Sequence, residues 1–254
     1  MASHSVHLPL ITILHHSVIF LVLIKIPSCL SANDAYRNCG NLISCGKITN
    51  LGFPFWGKNR TKECGHPLMQ LICEKEIGYI TIKDVQYRVL EANPDSHTLK
   101  ITREDYLQDF CQPKHVNTSL DTQLYVYESP YQNLTLSYGC TRSESLPTTV
   151  IPCIGEDVYS QIGSLAVVSC KTSVVVPVPL SLVEINDFTK VHQAITEGFV
   201  VRWIKECNKC ESSGGVCSIE GSSQQTTCYC RDGPCPNLSP DIKTSSGTSE
   251  FIEN

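Results

Sequence analysis

The sequence predicts a mostly β, disulfide-rich extracellular protein, built as two small cysteine-rich β modules with one short helix in the second. Three observations carry this. Fourteen of the 15 cysteines lie between Cys39 and Cys235, downstream of an apolar N-terminus, the pattern of an exported, bridge-stapled chain. Apolar residues through the middle of the chain alternate with a period near two. One segment alone, around residues 181–197, repeats its apolar residues at helical spacing.

The leader comes first. Ser17 to Ile24 is an apolar core, and the small residues of Pro27-Ser28-Cys29-Leu30-Ser31-Ala32 follow it, which reads as a signal peptide over residues 1–32. Its n-region holds His and Ser where Lys or Arg is usual. Cleavage after Ser31 or Ala32 would discard Cys29 and leave an even cysteine set. Downstream, no apolar run approaches the ~18 residues of a membrane span, and Ser173 to Leu180 is broken by Pro177 and Pro179. The expectation is therefore secretion to the extracellular space and cell wall, with membrane association only if the leader stays or the chain is part of a receptor. Sequons at Asn59, Asn117, Asn133 and Asn237 agree with glycosylation on that route.

The formal net charge is −5, and the leader's one charged residue is Lys25, so the mature chain is more acidic still. That argues against nucleic acid as a partner. The chain is long enough to bury a generous core. Its bridges, nominally worth about 2–4 kcal/mol each, are thus a surplus suited to life outside the cell.

The first module, residues 33–140, holds Cys39, Cys45, Cys64, Cys73, Cys111 and Cys140. Strands are expected at Tyr79 to Lys83 and Gln86 to Leu90, then, after the turn-forming Asn93-Pro-Asp-Ser96, at His97 to Thr102. Gln123 to Tyr127, Leu134 to Tyr138 and Ser164 to Ser169 are further β-rich stretches. The second module, residues 141–236, holds Cys153, Cys170, Cys207, Cys210, Cys217, Cys228, Cys230 and Cys235. Its helix is signalled by a capping box, Ser181-x-x-Glu184, and by Leu182, Ile185, Phe188, Val191 and Ile195. Gly198 would end it, and Phe199 to Trp203 reads as a strand. Residues 237–254 are polar and expected to be disordered. Six and eight cysteines allow two independently bridged modules, but the connectivity stays open.

The paired cysteines Cys207-x2-Cys210 and Cys228-x-Cys230 could in principle close a zinc site. The second pair is one residue too tight, and an oxidising compartment favours bridges. Cys228-x-Cys230 also matches the central C-x-C of a growth-factor-like module, whose closing interval is longer than Cys230-x4-Cys235. Catalytic signatures are lacking, and the chain calls for no metal or cofactor. Only His66, His97, His115 and His192 survive loss of the leader. The carboxylate pairs Glu104/Asp105 and Glu156/Asp157 read as solvated loop charges, because neighbours on a strand face opposite ways.

The most site-like stretch is Leu51 to Lys62, with Phe53, Phe55 and Trp56 directly before Lys58, Arg60 and Lys62. Aromatic faces stack on sugar rings, and Arg or Lys receives carboxylates. Lys47, Phe55, Trp56, Lys58, Arg60 and Lys62 are the candidate carbohydrate contacts. The bland alternative is that the aromatics fill a small core, and a glycan on Asn59 would sit among the cations.

Tyr36-x-x-Cys39, Ser44-Cys45-Gly46, Gly52-Phe-Pro-Phe-Trp-Gly57, Cys64-Gly65-His-Pro67 and Leu71-Ile-Cys73 resemble the galacturonan-binding module of plant wall-associated receptor kinases. Gly198-Phe-Val-Val-Arg-Trp203, Cys207-x2-Cys210-x-Ser212-Ser-Gly-Gly215-x-Cys217 and Cys228-Tyr-Cys230-Arg-Asp-Gly233 resemble the C-terminal module of the same receptors. The pairing is typical of leaf-rust-resistance-type receptor-like kinase ectodomains. Ser218 departs from the family's Gly at that place, and the receptors' membrane helix and kinase do not occur in these residues. The resemblance implies a non-catalytic, kinase-less module that binds cell-wall pectic polysaccharide, with a membrane receptor kinase as a further partner. The alternative it leaves is a defence-recognition ectodomain or soluble decoy that binds protein or peptide.

Overall fold

Strands from both halves of the chain interleave in two sheets. The computed structural model describes residues 32–128, 130–141, 149–164, 169–180, 187–219, 225–231 and 235. The leader, Asn237 and the polar tail lie outside them, as do residues 165–168 of one expected strand, whose Ser169 lies in a turn.

Helix α1 (Ala32–Cys39) leads into a small hairpin of β1 (Ile43–Cys45) and β2 (Ile48–Leu51). Next come β3 (Ile72–Glu74), β4 (Ile77–Ile82), β5 (Val85–Asn93) and β6 (Thr98–Arg103), each antiparallel to the one before. Their alternation buries Ile80, Ile82, Val85, Tyr87, Val89, Leu99 and Ile101 on one face, as period two requires. The two tight turns, Lys75–Glu76 and Lys83–Asp84, hold both central residues at positive φ. That geometry matches the strand twist but usually recruits Asn or Gly.

Helix α2 (Glu104–Gln108), β7 (Tyr125–Tyr127), β8 (Tyr131–Tyr138), β9 (Thr149–Ile151), β10 (Val158–Ile162) and β11 (Thr172–Pro179) follow. Then come α3 (Phe188–Glu197), β12 (Phe199–Trp203), α4 (Asn208–Ser212), β13 (Val216–Ile219) and β14 (Thr226–Tyr229). The six-stranded sheet has the order β3-β4-β5-β6-β12-β7, and the four-stranded sheet β11-β8-β10-β9. A strand from the second half thus completes the sheet of the first, and β8 lies inside the sheet of the second.

The helix expected near residue 188 is present. Its N-cap among the described residues is Asp187, whose Oδ1 accepts from Lys190 N at 2.9 Å; Ser181, Leu182, Glu184 and Ile185 fall outside them. Gly198 follows at φ 71, where a Cβ would stand 2.3 Å from the Ile101 carbonyl oxygen, so only glycine lets α3 turn straight into β12. Short helices α1, α2 and α4 were not expected. The run Thr172 to Pro179 forms a full strand despite Pro177 and Pro179, because β11 is an edge and a missing N–H there costs no ladder bond.

All fourteen cysteines downstream of the leader are bridged: Cys39–Cys64, Cys45–Cys73, Cys111–Cys153, Cys140–Cys170, Cys207–Cys217, Cys210–Cys228 and Cys230–Cys235. Two of them, Cys111–Cys153 and Cys140–Cys170, join the halves, which corrects the idea of two independently bridged modules. Even counts permit closed sets, but spatial approach decides the pairing, and β8 carries Cys140 into the second sheet.

Candidate functional site

Cys39–Cys64 and Cys45–Cys73 tie the aromatic-basic loop to its surroundings. Within the loop, Phe55 N donates to Gly52 O at 2.9 Å, and Gly57 and Arg60 exchange backbone bonds of 2.9 Å. Gly57 is obligatory: φ is 139, and a Cβ would lie 2.1 Å from the Leu71 carbonyl oxygen.

The loop divides its candidates in two. Phe55 is fully buried, edge-on to Trp203 at 5.0 Å. Arg60 is 2% exposed, and its guanidinium is spent on backbone carbonyls: Nη1 to Cys39, Nη1 also to Asn41 at 2.8 Å, Nε to Phe55 at 3.0 Å, and Nη2 to Cys64 at 2.7 Å. Burial brings its pKa down to about 10, against the opposing pull of Glu211, so it stays a cation at neutral pH. Neither side chain reaches solvent, and both leave the set of contact residues. Trp56 is half-buried, with Nε1 donating to His66 O at 2.9 Å. Lys47, Lys58 and Lys62 are exposed, as is Asn59, whose Nδ2 donates to Leu42 O at 3.4 Å.

The structure adds a lysine that the loop reading missed. The β1–β2 turn meets the β3–β4 turn so closely that a Cβ on Gly46 would stand 2.1 Å from the Glu76 carbonyl oxygen. Gly46 N donates to Glu76 Oε2 at 2.8 Å, and Lys58 Nζ donates to Ser44 O at 2.9 Å. Lys47, Lys58 and Lys75 are therefore exposed on adjoining turns around one glycine. The signal was present as a repeated Cys-x-Lys, at Cys45-Gly-Lys47 and Cys73-Glu-Lys75, and the Cys45–Cys73 bridge superimposes the two. Glu74 and Glu76 lie beside the lysines, so the surface is mixed in charge and acts through individual contacts. Lys62 belongs to a separate turn, Lys62–Cys64, which faces β13 through Ser218 Oγ donating to Glu63 O at 2.6 Å.

The C-terminal cysteine cluster lies beneath this loop. Phe53 shares a small core with Cys207, Cys210, Cys217 and Ile219, and Tyr36 Oη donates to Gly214 O at 3.4 Å. The sulfurs of Cys207, Cys210 and Cys217 lie within 4.8 Å of one another, as do those of Cys228, Cys230 and Cys235. All six are consumed in bridges, and disulfide sulfur offers zinc no thiolate.

The carboxylates read as solvated are partly structural. Glu104 is 5% exposed and takes Arg88 through two bonds of 2.8 and 2.7 Å. Asp105 takes the fully buried Arg103 at 3.1 and 2.6 Å. Glu156 and Asp157 are exposed. Glu104 and Asp105 are thus each occupied by an arginine.

Two family descriptions match the chain: wall-associated receptor kinase galacturonan-binding over residues 39–103, and wall-associated receptor kinase C-terminal over residues 139–233. The chain belongs to the wall-associated receptor kinase ectodomain family. Relatives in Arabidopsis thaliana include leaf rust 10 disease-resistance locus receptor-like protein kinase-like 2.8, 32% identical over 88% of this chain and 25% of its own length. The 2.4 and 2.1 members are 33% and 29% identical over 86% and 87% of this chain, and 36% and 38% of their own lengths. The chain thus spans well under half of these relatives, and the part it matches is their non-catalytic ectodomain. No solved structure matches it. Among the described residues no helix is long and apolar enough to cross a membrane.

The galacturonan-binding match covers the loop and the adjoining turns with Lys47, Lys58 and Lys75. The C-terminal match covers β12, which pairs with β6, and all of the cysteine cluster under the loop except Cys235. In this ectodomain the two modules are therefore distinct in sequence and interleaved in space.

Proposed function

We propose that this ectodomain binds a polyanionic cell-wall polysaccharide of the pectic galacturonan class, without catalysis, through Lys47, Lys58 and Lys75, with the exposed part of Trp56 nearby as a stacking surface. The observation that carries this is the joining of two Cys-x-Lys turns by the Cys45–Cys73 bridge, inside the segment matched as galacturonan-binding. An overall charge of −5 opposes a polyanion at long range. Local contacts between lysine and carboxylate must therefore supply the attraction, and at a Debye length of about 8 Å under physiological salt they weaken as salt rises. Extracellular residence, glycans on the exposed Asn59 and Asn117, and a membrane receptor kinase as partner belong to the same reading.

Chromatography on immobilised pectin, alginate and neutral glucan across a salt series tests it. Retention on pectin that salt reverses, and that Lys47→Gln/Lys58→Gln/Lys75→Gln removes while the melting temperature stays put, is the expected result. Equal retention on all three matrices, or none on pectin, overturns it.

A further inference from the structure

A cleft of about 290 Å³ is lined by residues of both edge strands of the six-stranded sheet. Ile72 of edge strand β3 lies on one side, and Tyr125 of edge strand β7, with Leu124 before it, on the other. The turn Lys83–Asp84 closes one end, so the cleft sits at the opposite end of β4 from Lys75. The six strand residues Ile77–Ile82 between those turns place the two surfaces roughly 20 Å apart.

The chemistry of this cleft is the reverse of the lysine turns. Pro67, Leu68, Ile72 and Leu124 give it an aliphatic lining, and Leu68 is 61% exposed. Asp84 and Asp121 bring two carboxylates into the lining, where Lys83 is the cation, with Lys114 beside it. Asp84 is exposed, and it is its backbone carbonyl that Lys114 Nζ engages at 2.7 Å. One Asp121 oxygen accepts from Gln123 N at 3.0 Å, which leaves the other for a ligand. A galacturonate carboxylate would meet repulsion here. A sugar ring would also lack a platform, because Tyr125, the one aromatic in the lining, is 1% exposed. An aliphatic side chain next to a positive charge satisfies both halves of the lining: area removed from water on the leucines, and a charge-assisted pair at the carboxylates. The flanking strand edges suit an extended backbone.

We propose that this cleft captures an extended peptide through an aliphatic side chain adjacent to Lys or Arg, with Asp84 and Asp121 receiving the charge. The site is separate from the lysine turns and stands whether or not those turns bind pectin.

The experiment selects from a random seven-residue peptide library on the immobilised full chain, then titrates a synthetic consensus peptide calorimetrically. The expected consensus pairs an aliphatic residue with an adjacent Lys or Arg. Its affinity should fall at least fivefold in Leu68→Ser and in Asp84→Asn, both exposed positions whose melting temperatures confirm folding. It should be unchanged in Lys47→Gln/Lys58→Gln/Lys75→Gln, and pectin retention should be unchanged in the two cleft variants. No enrichment, an acidic consensus, or affinity preserved in either cleft variant overturns the peptide site without touching the pectin reading.

Discussion

Replacing Arg60 by Ala separates a structural arginine from a ligand-binding one. Its guanidinium makes four hydrogen bonds to the carbonyls of Phe55, Cys39, Asn41 and Cys64, and bonds from a charged donor contribute roughly 1.5–3 kcal/mol each. Removing it takes the donor from four carbonyls, three of them in buried bonds, and relieves the cost of burying the charge, the cost that lowers its pKa to about 10. The balance of these terms is a loss of about 3–5 kcal/mol, comparable to breaking a buried ion pair. For a chain of this size that lowers the melting temperature by roughly 6–20 °C, a large share of a net stability of about 5–15 kcal/mol. Thermal unfolding of secreted Arg60→Ala, beside Lys58→Ala and Arg60→Lys, measures it. Lys58→Ala should stay within about 0.5 kcal/mol of the parent, and Arg60→Lys should fall nearly as far as Ala, because one ammonium cannot span four carbonyls. An Arg60→Ala protein with an unchanged melting temperature and lost pectin retention would refute the reasoning and return Arg60 to the binding surface.

Gly46→Ala forces a Cβ against the Glu76 carbonyl at a φ of 56; the strain of about 1–3 kcal/mol should part the two turns and weaken pectin retention with no change of charge, which salt elution and melting together detect. Burial raises the Tyr87 and Tyr138 hydroxyls to about 12, while unfolded tyrosine ionises near 10. The unfolded chain therefore releases these protons first, so their contribution is intact below about pH 10 and is lost between about pH 10 and 12; phenolate absorbance should show both titrating only as the chain unfolds. Cys207→Ser/Cys217→Ser removes a bridge from the core under Phe53 and should cost about 2–5 kcal/mol. Trypsin should then cut at Lys58 or Lys62 faster than in the parent, and an unchanged cleavage rate would show that the cluster does not support the loop.

Much of the fold was legible because its signals are local. Period-two burial located β4, β5, β6 and β12, and Asn93-Pro-Asp-Ser96 marked the turn before β6. The prolines at 177 and 179 interrupt an apolar run but not a strand, since their tolerance depends on β11 being an edge, a property of the sheet alone. The candidate site was half legible. Aromatic and basic residues pointed to the loop now proposed as the contact surface, but residue type does not say which way a side chain faces. Arg60 turned inward because the loop folds around four carbonyls that need donors, and Phe55 turned inward because Trp203, far along the chain, offered it a face.

By itself the sequence determined the class of protein: bridge-rich, mostly β, and of the wall-associated receptor kinase ectodomain family. Composition and short-range periodicity carry that much, because propensity and cysteine content act locally. Only the tertiary structure decided the pairing of the cysteines and the crossing of the halves by β8 and β12. It also decided the meeting of the turns that carry Lys47 and Lys75, and the cleft lined by both sheet edges. These rest on contacts between residues far apart in the chain, and such contacts are chosen by the packing of the whole core.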